Sequence, residues 1–471
     1  MKKIRIICLV LSLLLCLQTT LTVSAAESVA SCAGLDATAA LGGNEKILGT
    51  AKAALVYERG SKTMVYGYNL DERIYPTSMV KLMTAIVALE QGNMEDIVTV
   101  SKAALDTVAI GSVSAGLVRW EEISMLDLMY CMMVSSANDA AAVIALHVGG
   151  SIEMFLQIMN EKAMELGCTD THFSNVHGLH EEDTYTTARD ICKILDYALE
   201  NELFRQMFEA KTYEVPATNK NDARKVLTTN YMMSKDYTKK YFDGRVTGGK
   251  TGATDVAGRC LAVTATVNGM EVIAIVMGAE PTYTEDGLSV KRFGSFEEMS
   301  ELLDFVEAGY EFGQLLYDGQ VIARFPVTGC ESDVAVGPDA NVNCVVPKGL
   351  AFEEMTWNVS LKDSNLSAPI GEGDAIATLD VWYNDICIAT TDLVAMNKVT
   401  PFVPFAEPQG NSPQEQEERH GAVIAMVFGG IAGVVILAIV GVVAYRMIQI
   451  SLVKARIRRR RMKRRKHAEL E

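Results

Sequence analysis

Apolar residues recur at helical spacing from Met79 through Val80, Met83, Ile86 and Val87 to Leu89, between Pro76 and Gly92. That pattern predicts a helix with Thr77 as its N-cap and an end near Gly92. A second segment, 125–147, is apolar on nearly every side except at Ser135, Ser136, Asn138 and Asp139 in its middle. A helix apolar all round belongs inside a domain, so polar groups at its centre must find partners or line a cavity. Helical character also runs through 151–166, 187–209 and 296–318. Residues 53–57 and 63–68, joined by Arg59-Gly60-Ser61-Lys62, read as a hairpin, and 260–267 and 272–277 as a buried antiparallel pair around Asn268-Gly269. Strands flanking a large helical middle make the class α+β. Residues 33–47 are small and polar and look like a loose lead-in. From 321 to 398 short apolar runs alternate with turn signals at 369–374 and Asn384-Asp385, which predicts a small β-sandwich domain.

The two ends follow other patterns. Lys2, Lys3 and Arg5 precede an apolar run from about Ile6 to Leu17 and then Val23-Ser24-Ala25, the layout of a signal peptide over residues 1–25. Residues 399–421 hold Pro401, Pro404, Pro408 and Pro413 among Gln and Glu, an extended linker. Residues 422–445 carry no charge and are long enough to cross a bilayer as a helix. A basic tail follows over 446–471, which by the positive-inside rule lies in the cytoplasm and leaves the rest outside.

Charge sharpens this division. The chain has 43 Lys and Arg against 59 Asp and Glu. The signal holds three of the basic residues, and the tail holds 11 with two acidic ones, so the exported part has 29 basic against 57 acidic residues. A net charge of −28 there argues against a nucleic-acid partner. Of ten cysteines, Cys8 and Cys16 lie in the signal, and the others show no Cys-x-x-Cys spacing that would suggest zinc. Cys330 and Cys344 are compatible with a disulfide in an oxidising exterior and equally with small buried residues.

Within this frame three short motifs stand in order. Ser78 precedes Lys81 by three residues, which puts both on one helix face. A serine hydroxyl needs a base to become a nucleophile, and a lysine held neutral by burial can supply one. Ser136-Ala137-Asn138 follows, and then Lys250-Thr251-Gly252. Acyl transfer needs such groups besides its nucleophile: a proton donor for the leaving amine, a hydrogen bond to the substrate and a cation for a carboxylate.

With these motifs, and with 171–179, 185–190 and 249–258, the sequence resembles the low-molecular-weight penicillin-binding proteins, serine D-alanyl-D-alanine carboxypeptidases, from about Ala53 to Ala395. The resemblance implies a β-lactamase/transpeptidase-like catalytic domain over 48–320, followed by the β-domain over 321–398. It implies that Ser78 attacks the carbonyl of the penultimate D-alanine of a peptidoglycan stem peptide with Lys81 as base. Ser136 then relays a proton, Asn138 binds the substrate, Lys250 and Thr251 hold its carboxylate, and Ser78 and Ala253 supply oxyanion N–H groups beside Gly252. β-Lactams would be covalent inhibitors, and no cofactor or metal is implied. Ala253 departs from the usual histidine or tyrosine, Thr184 from a usual histidine and Thr247 from a frequent aspartate.

Other readings are weaker. Residues 244–251 fit a P-loop pattern, but the residues that follow are strand-like, whereas a phosphate loop opens a helix. His172, His177 and His180 match no standard metal spacing. A class A β-lactamase needs a glutamate for its deacylating water, and no convincing Glu-x-x-x-Asn loop occurs. Two rivals stay open: a D,D-endopeptidase of cross-links using the same residues, and a wall-binding scaffold of low activity.

Overall fold

Five antiparallel strands organise the first part of the chain: β1 (Ala53–Glu58), β2 (Thr63–Tyr68), β3 (Val246–Thr254), β4 (Gly258–Val267) and β5 (Met270–Ala279), in the order β2-β1-β5-β4-β3. The structure is a computed structural model and describes residues 28–29, 35–37, 39–236, 238–285, 290–401 and 445. The predicted signal peptide, most of the linker, the membrane helix apart from Tyr445 and the basic tail lie outside the described residues.

Both faces of the sheet are covered, which explains its unbroken apolar runs. Leu55, Tyr57, Ile273 and Ile275 face one core together with the helices between β2 and β3. Their neighbours Ala54, Val56, Ala274 and Val276 face a second core. The helices of the first core are α1 (Val80–Gln91), α2 (Lys102–Asp106), α3 (Met125–Val134), α4 (Asn138–Gly149), α5 (Ile152–Glu165), α6 (Ala188–Ala198) and α7 (Glu202–Glu209). On the second face α8 (Gly294–Gly309) packs against β4 and β5. Ser124, Ser151, Thr187 and Asn201 cap α3, α5, α6 and α7 by accepting from N–H groups of the first turn.

Four expectations need correction. Thr77 does not cap α1: it has φ +53°, its hydroxyl donates to the Pro76 carbonyl, and residues 77–79 form a 3-10 turn leading into the helix. Close packing of Gly178 and Gly252 against Thr77 holds this geometry. The helix read over 187–209 is two, because Asn201 starts a new one. The lead-in is tied down in part, since Leu41 and Gly42 donate to the Met64 and Val65 carbonyls of β2. Finally, the helix read over 296–318 stops at Gly309.

Residues 310–316 form a strand, β6 (Tyr310–Leu316), which pairs antiparallel with β9 (Val342–Pro347). The partner strand decides the conformation of a short apolar run whose own periodicity is ambiguous. The β-region therefore begins at Tyr310 rather than 321. Its larger sheet has the order β7-β8-β12-β11-β10, from β7 (Ala323–Phe325), β8 (Val334–Gly337), β10 (Thr356–Leu361), β11 (Ala375–Tyr383) and β12 (Ile386–Ala395). Val336, Leu379 and Leu393 from these strands join the second core. Cys330 and Cys344 are both free.

Candidate active site

The 3-10 turn places Ser78 at the mouth of a cleft and α1 carries Lys81 one turn deeper, fully buried. Lys81 Nζ meets three oxygens: Asn138 Oδ1 at 2.7 Å, the His177 carbonyl at 2.5 Å and Ser78 Oγ at 3.2 Å. Burial pushes the pKa of Lys81 well below the ordinary lysine value; Lys250 adds to the effect and Asp139 opposes it. A neutral amine has two N–H bonds and one lone pair. Asn138 and His177 accept both N–H bonds, which leaves the lone pair for the hydroxyl proton of Ser78.

The His177 carbonyl is aimed by a tight strap. Asn175 Oδ1 accepts from the N–H groups of His177 and Gly178, and Asn175 Nδ2 donates to the Leu179 carbonyl. Gly178 has φ +84°, and a Cβ there would stand 1.8 Å from the Thr77 carbonyl oxygen. Only glycine lets the strap lie this close to the Ser78 turn. The His177 imidazole is buried, which together with the nearby Lys81 pushes its pKa down to about 4.

The break between α3 and α4 delivers the second motif. Ser136 takes φ +62°, a left-handed conformation rare outside glycine, and Asn138 opens α4. Asp139 turns the other way. Its carboxylate accepts from the Ser114 hydroxyl at 2.6 Å and the Ala115 and Leu117 N–H groups at 2.9 and 3.1 Å. The Asn138 N–H donates to the Val113 carbonyl, so residues 113–117 are fastened beside the cleft.

β3 forms the opposite wall. Lys250 is buried and donates to Ser136 Oγ at 2.8 Å and to the Thr251 carbonyl at 3.1 Å. Burial lowers its pKa to about 7. Thr251 and Thr229 share a hydroxyl hydrogen bond of 2.5 Å. A Cβ on Gly252 would overlap Thr77 Oγ1 at 1.7 Å, so glycine here lets β3 seat directly on the Ser78 turn. Ala253 follows, exposed on the rim. The cleft between these walls has a volume of about 230 Å³ and is lined by Ser78, Ser136, Thr251, Gly252 and Ala253.

All eight residues singled out in the sequence thus lie in or directly behind one cleft. Thr229, Tyr231, Arg259 and Phe293 also line it and were not foreseen, nor was the His177 carbonyl. The other candidates disperse. Lys250 lies inside a strand, unlike a P-loop lysine. His172 contacts the Asp183 carbonyl and His180 packs on the Tyr75 ring, while the His177 carbonyl serves Lys81. Thr184 caps a local loop through Ser174, and the Thr247 hydroxyl donates to Thr264 on β4.

Fold and site together define a serine hydrolase with a buried lysine beside its serine. A family model described as D-alanyl-D-alanine carboxypeptidase matches residues 44–281, and one described as the C-terminal domain of penicillin-binding protein 5 matches residues 310–401. The chain is 30% identical over 364 residues to D-alanyl-D-alanine carboxypeptidase DacF of Bacillus subtilis, spanning 75% of this chain and 88% of that one. It is 28% identical over 363 residues to DacC of Escherichia coli, spanning 74% and 84%. Penicillin binding protein 5 from Haemophilus influenzae superposes with a TM-score of 0.59 at 28% identity, covering 76% of this chain and 100% of the other. The chain belongs to the D-alanyl-D-alanine carboxypeptidase family, peptidase S11.

Proposed function

We propose that this protein is a serine D,D-carboxypeptidase that removes the terminal D-alanine from peptidoglycan stem pentapeptides and is acylated by β-lactams. The observation that carries this reading is Lys81: a buried amine whose two N–H bonds are taken and whose lone pair meets the hydroxyl of Ser78.

Ser78 Oγ attacks the carbonyl carbon of the penultimate D-alanine while its proton passes to Lys81 Nζ. The oxyanion forms against the N–H groups of Ser78 and Ala253. As the C–N bond breaks, Ser136 gives its proton to the leaving amine and is reprotonated from Lys250, to which it is hydrogen-bonded. Lys250 and Thr251 face the substrate carboxylate, and Asn138 hydrogen-bonds a peptide amide of the substrate. Once the amine has left, the proton that Lys81 took from Ser78 passes to Lys250, so that both lysines regain their starting forms. Water then gives a proton to Lys81 as it attacks the ester, and Lys81 returns that proton to the departing Ser78 oxygen. A β-lactam follows the first half of this path and stalls as the acyl-enzyme.

The sequence supports a location as well: export by the segment over 1–25, anchoring through 422–445 and a cytoplasmic tail over 446–471. A protease added outside intact cells should then remove the catalytic region and spare the tail.

The deciding experiment uses the purified full-length chain beside its Ser78→Ala variant. D-alanine released from a monomeric pentapeptide is measured, and cleavage of a cross-linked dimer separately. Release from the monomer that vanishes with Ser78→Ala is the expected result. Cleavage of the dimer alone makes the protein an endopeptidase, and no cleavage of either by folded protein removes the catalytic assignment.

A further inference from the structure

The edge of a sheet presents backbone N–H and C=O groups to another chain, and folded proteins usually cover, shorten or charge such an edge. Two edges of this protein show those devices. β2 is covered where Leu41 and Gly42 donate to the Met64 and Val65 carbonyls. β7 is three residues long and has Arg324 at its centre. β10 has none of them. It is the last strand of its sheet, six residues long, without charge or proline, and its register against β11 is unbroken by any bulge. No strand among the described residues pairs with its other edge.

The side chains of β10 alternate. Trp357, Val359 and Leu361 stand across from Val381, Leu379 and Ala377 of β11 and pack against the second core, yet they are only half-buried. Thr356, Asn358 and Ser360 are exposed. The apolar layer therefore runs out at this edge with three large or branched side chains partly in water. The strand is also complementary to itself. Paired antiparallel with a copy turned about Asn358, it sets Trp357 opposite Val359 and Thr356 opposite Ser360, an aromatic–β-branched pair and a hydroxyl pair of the kinds that stabilise sheets. The same register brings Lys362, which also reaches Asp392 at 2.7 Å, toward Glu354 beyond the other end of the strand. A register shifted by one residue would put the polar face of one copy beside the apolar face of the other.

We propose that β10 is an interface between two copies of this chain, joined edge to edge in an antiparallel pair centred on Asn358. The two β-domain sheets become one, its apolar side is continuous, and Trp357, Val359 and Leu361 of each copy cover those of the other. Six residues a side is small for a protein interface, which makes the pairing a transient one. No β10 residue lines the cleft, so the inference goes beyond the carboxypeptidase reading and stands or falls apart from it.

The test traps transient pairs of the purified full-length chain as disulfides under mild oxidant. The background is Cys330→Ser with Cys387→Ser, which removes the two half-buried thiols. Asn358→Cys should form a covalent dimer, because residues directly opposite in antiparallel strands are close enough for a disulfide. Thr356→Cys should not link to itself but should link to Ser360→Cys when the two proteins are mixed. Adding Thr356→Lys and Ser360→Lys to Asn358→Cys sets like charges opposite each other and should slow cross-linking about 10-fold or more. Thr356→Lys with Ser360→Glu should restore it. All variants should be acylated equally by a fluorescent penicillin, which reports that they fold. Self-linking of Thr356→Cys as fast as that of Asn358→Cys overturns the proposal, as do equal rates for the lysine pair and the lysine–glutamate pair. Folded Asn358→Cys that stays monomeric overturns it too, the result expected if residues 402–421 of the same chain cover the edge instead.

Discussion

Gly178→Ala tests whether the strap over residues 175–178 is what prepares Lys81. The substituted Cβ would lie 1.8 Å from the Thr77 carbonyl oxygen, where ordinary contact begins near 3.4 Å, so strap or turn must shift by well over 1 Å. Alanine at φ +84° adds about 1–2 kcal/mol of left-handed strain. Displacing the His177 carbonyl from Lys81 leaves a buried polar group unpaired, another cost of about 1–3 kcal/mol. Together these predict a loss of about 2–5 kcal/mol and a fall in Tm of about 4–10 °C. The larger effect is on chemistry, since a 1 Å misplacement of reacting groups costs about 100-fold. The assay is the second-order rate of Ser78 acylation by a fluorescent penicillin, read beside thermal melting. Gly150→Ala is the control: Gly150 also has positive φ, +72°, but nothing stands within 4 Å of its Cβ position. It should lose only the backbone strain and keep its acylation rate. Equal acylation by the two variants would refute the role given to the strap.

Three further outcomes follow from the two amines and the strained serine. The pH profile of kcat/KM should be bell-shaped, rising as Lys81 loses its proton and falling as Lys250 deprotonates near its pKa of about 7. Bound carboxylate raises the pKa of Lys250, so the alkaline limb of kcat should lie higher, and Lys250→Arg should remove it; a flat kcat/KM between about pH 6 and 9 refutes the assignment. Lys250→Met should be inactive yet no less stable than wild type. A lysine at about 7 when folded against 10.5 unfolded penalises folding fully below pH 7 and progressively less as pH rises toward 10.5, so the Tm advantage should shrink over that interval; an advantage that grows with pH refutes the sign. Ser136→Gly and Ser136→Ala should both lose D-alanine release, but the glycine variant should be the more stable by about 1 kcal/mol, because only it relieves the positive φ; equal Tm values refute the strain.

How much of this was legible depends on whether a role belongs to a side chain with close sequence neighbours. Ser78 with Lys81, and Ser136 with Asn138, share a turn or helix start, so spacing alone brings them together. The strands over 260–267 and 272–277 were readable because both their faces are buried. The His177 carbonyl had no signature, since every residue has a carbonyl and only the bend at Gly178 aims this one. Thr229 reaches the cleft from a loop, where its hydroxyl meets Thr251, and Arg259 through its register opposite Ala253 in the β3–β4 hairpin; periodicity sets neither. Residues 310–316 were misread for the converse reason: their apolar positions suit either conformation, and β9, some 30 residues on, makes them a strand.

Four costly features of this fold share one place. Thr77 and Ser136 hold positive φ without being glycine, and two lysines are buried with no carboxylate bonded to either ammonium. Each is the kind of feature that destabilises a protein when it stands alone. Here each is held by a neighbour with no freedom to yield: Thr77 by two glycine backbones, Lys81 by Asn138 and the strap, Lys250 by Ser136 and its own strand. Burial lowers the pKa of Lys81, while these contacts leave its lone pair to Ser78 and point Lys250 at the hydroxyl that must be recharged. Stability surrendered at the cleft is therefore spread over α1, α4, β3 and the strap. That arrangement explains why a methyl group on Gly178, pressed against the Thr77–Ser78 backbone, is expected to act on the same chemistry as a change to Lys81 itself.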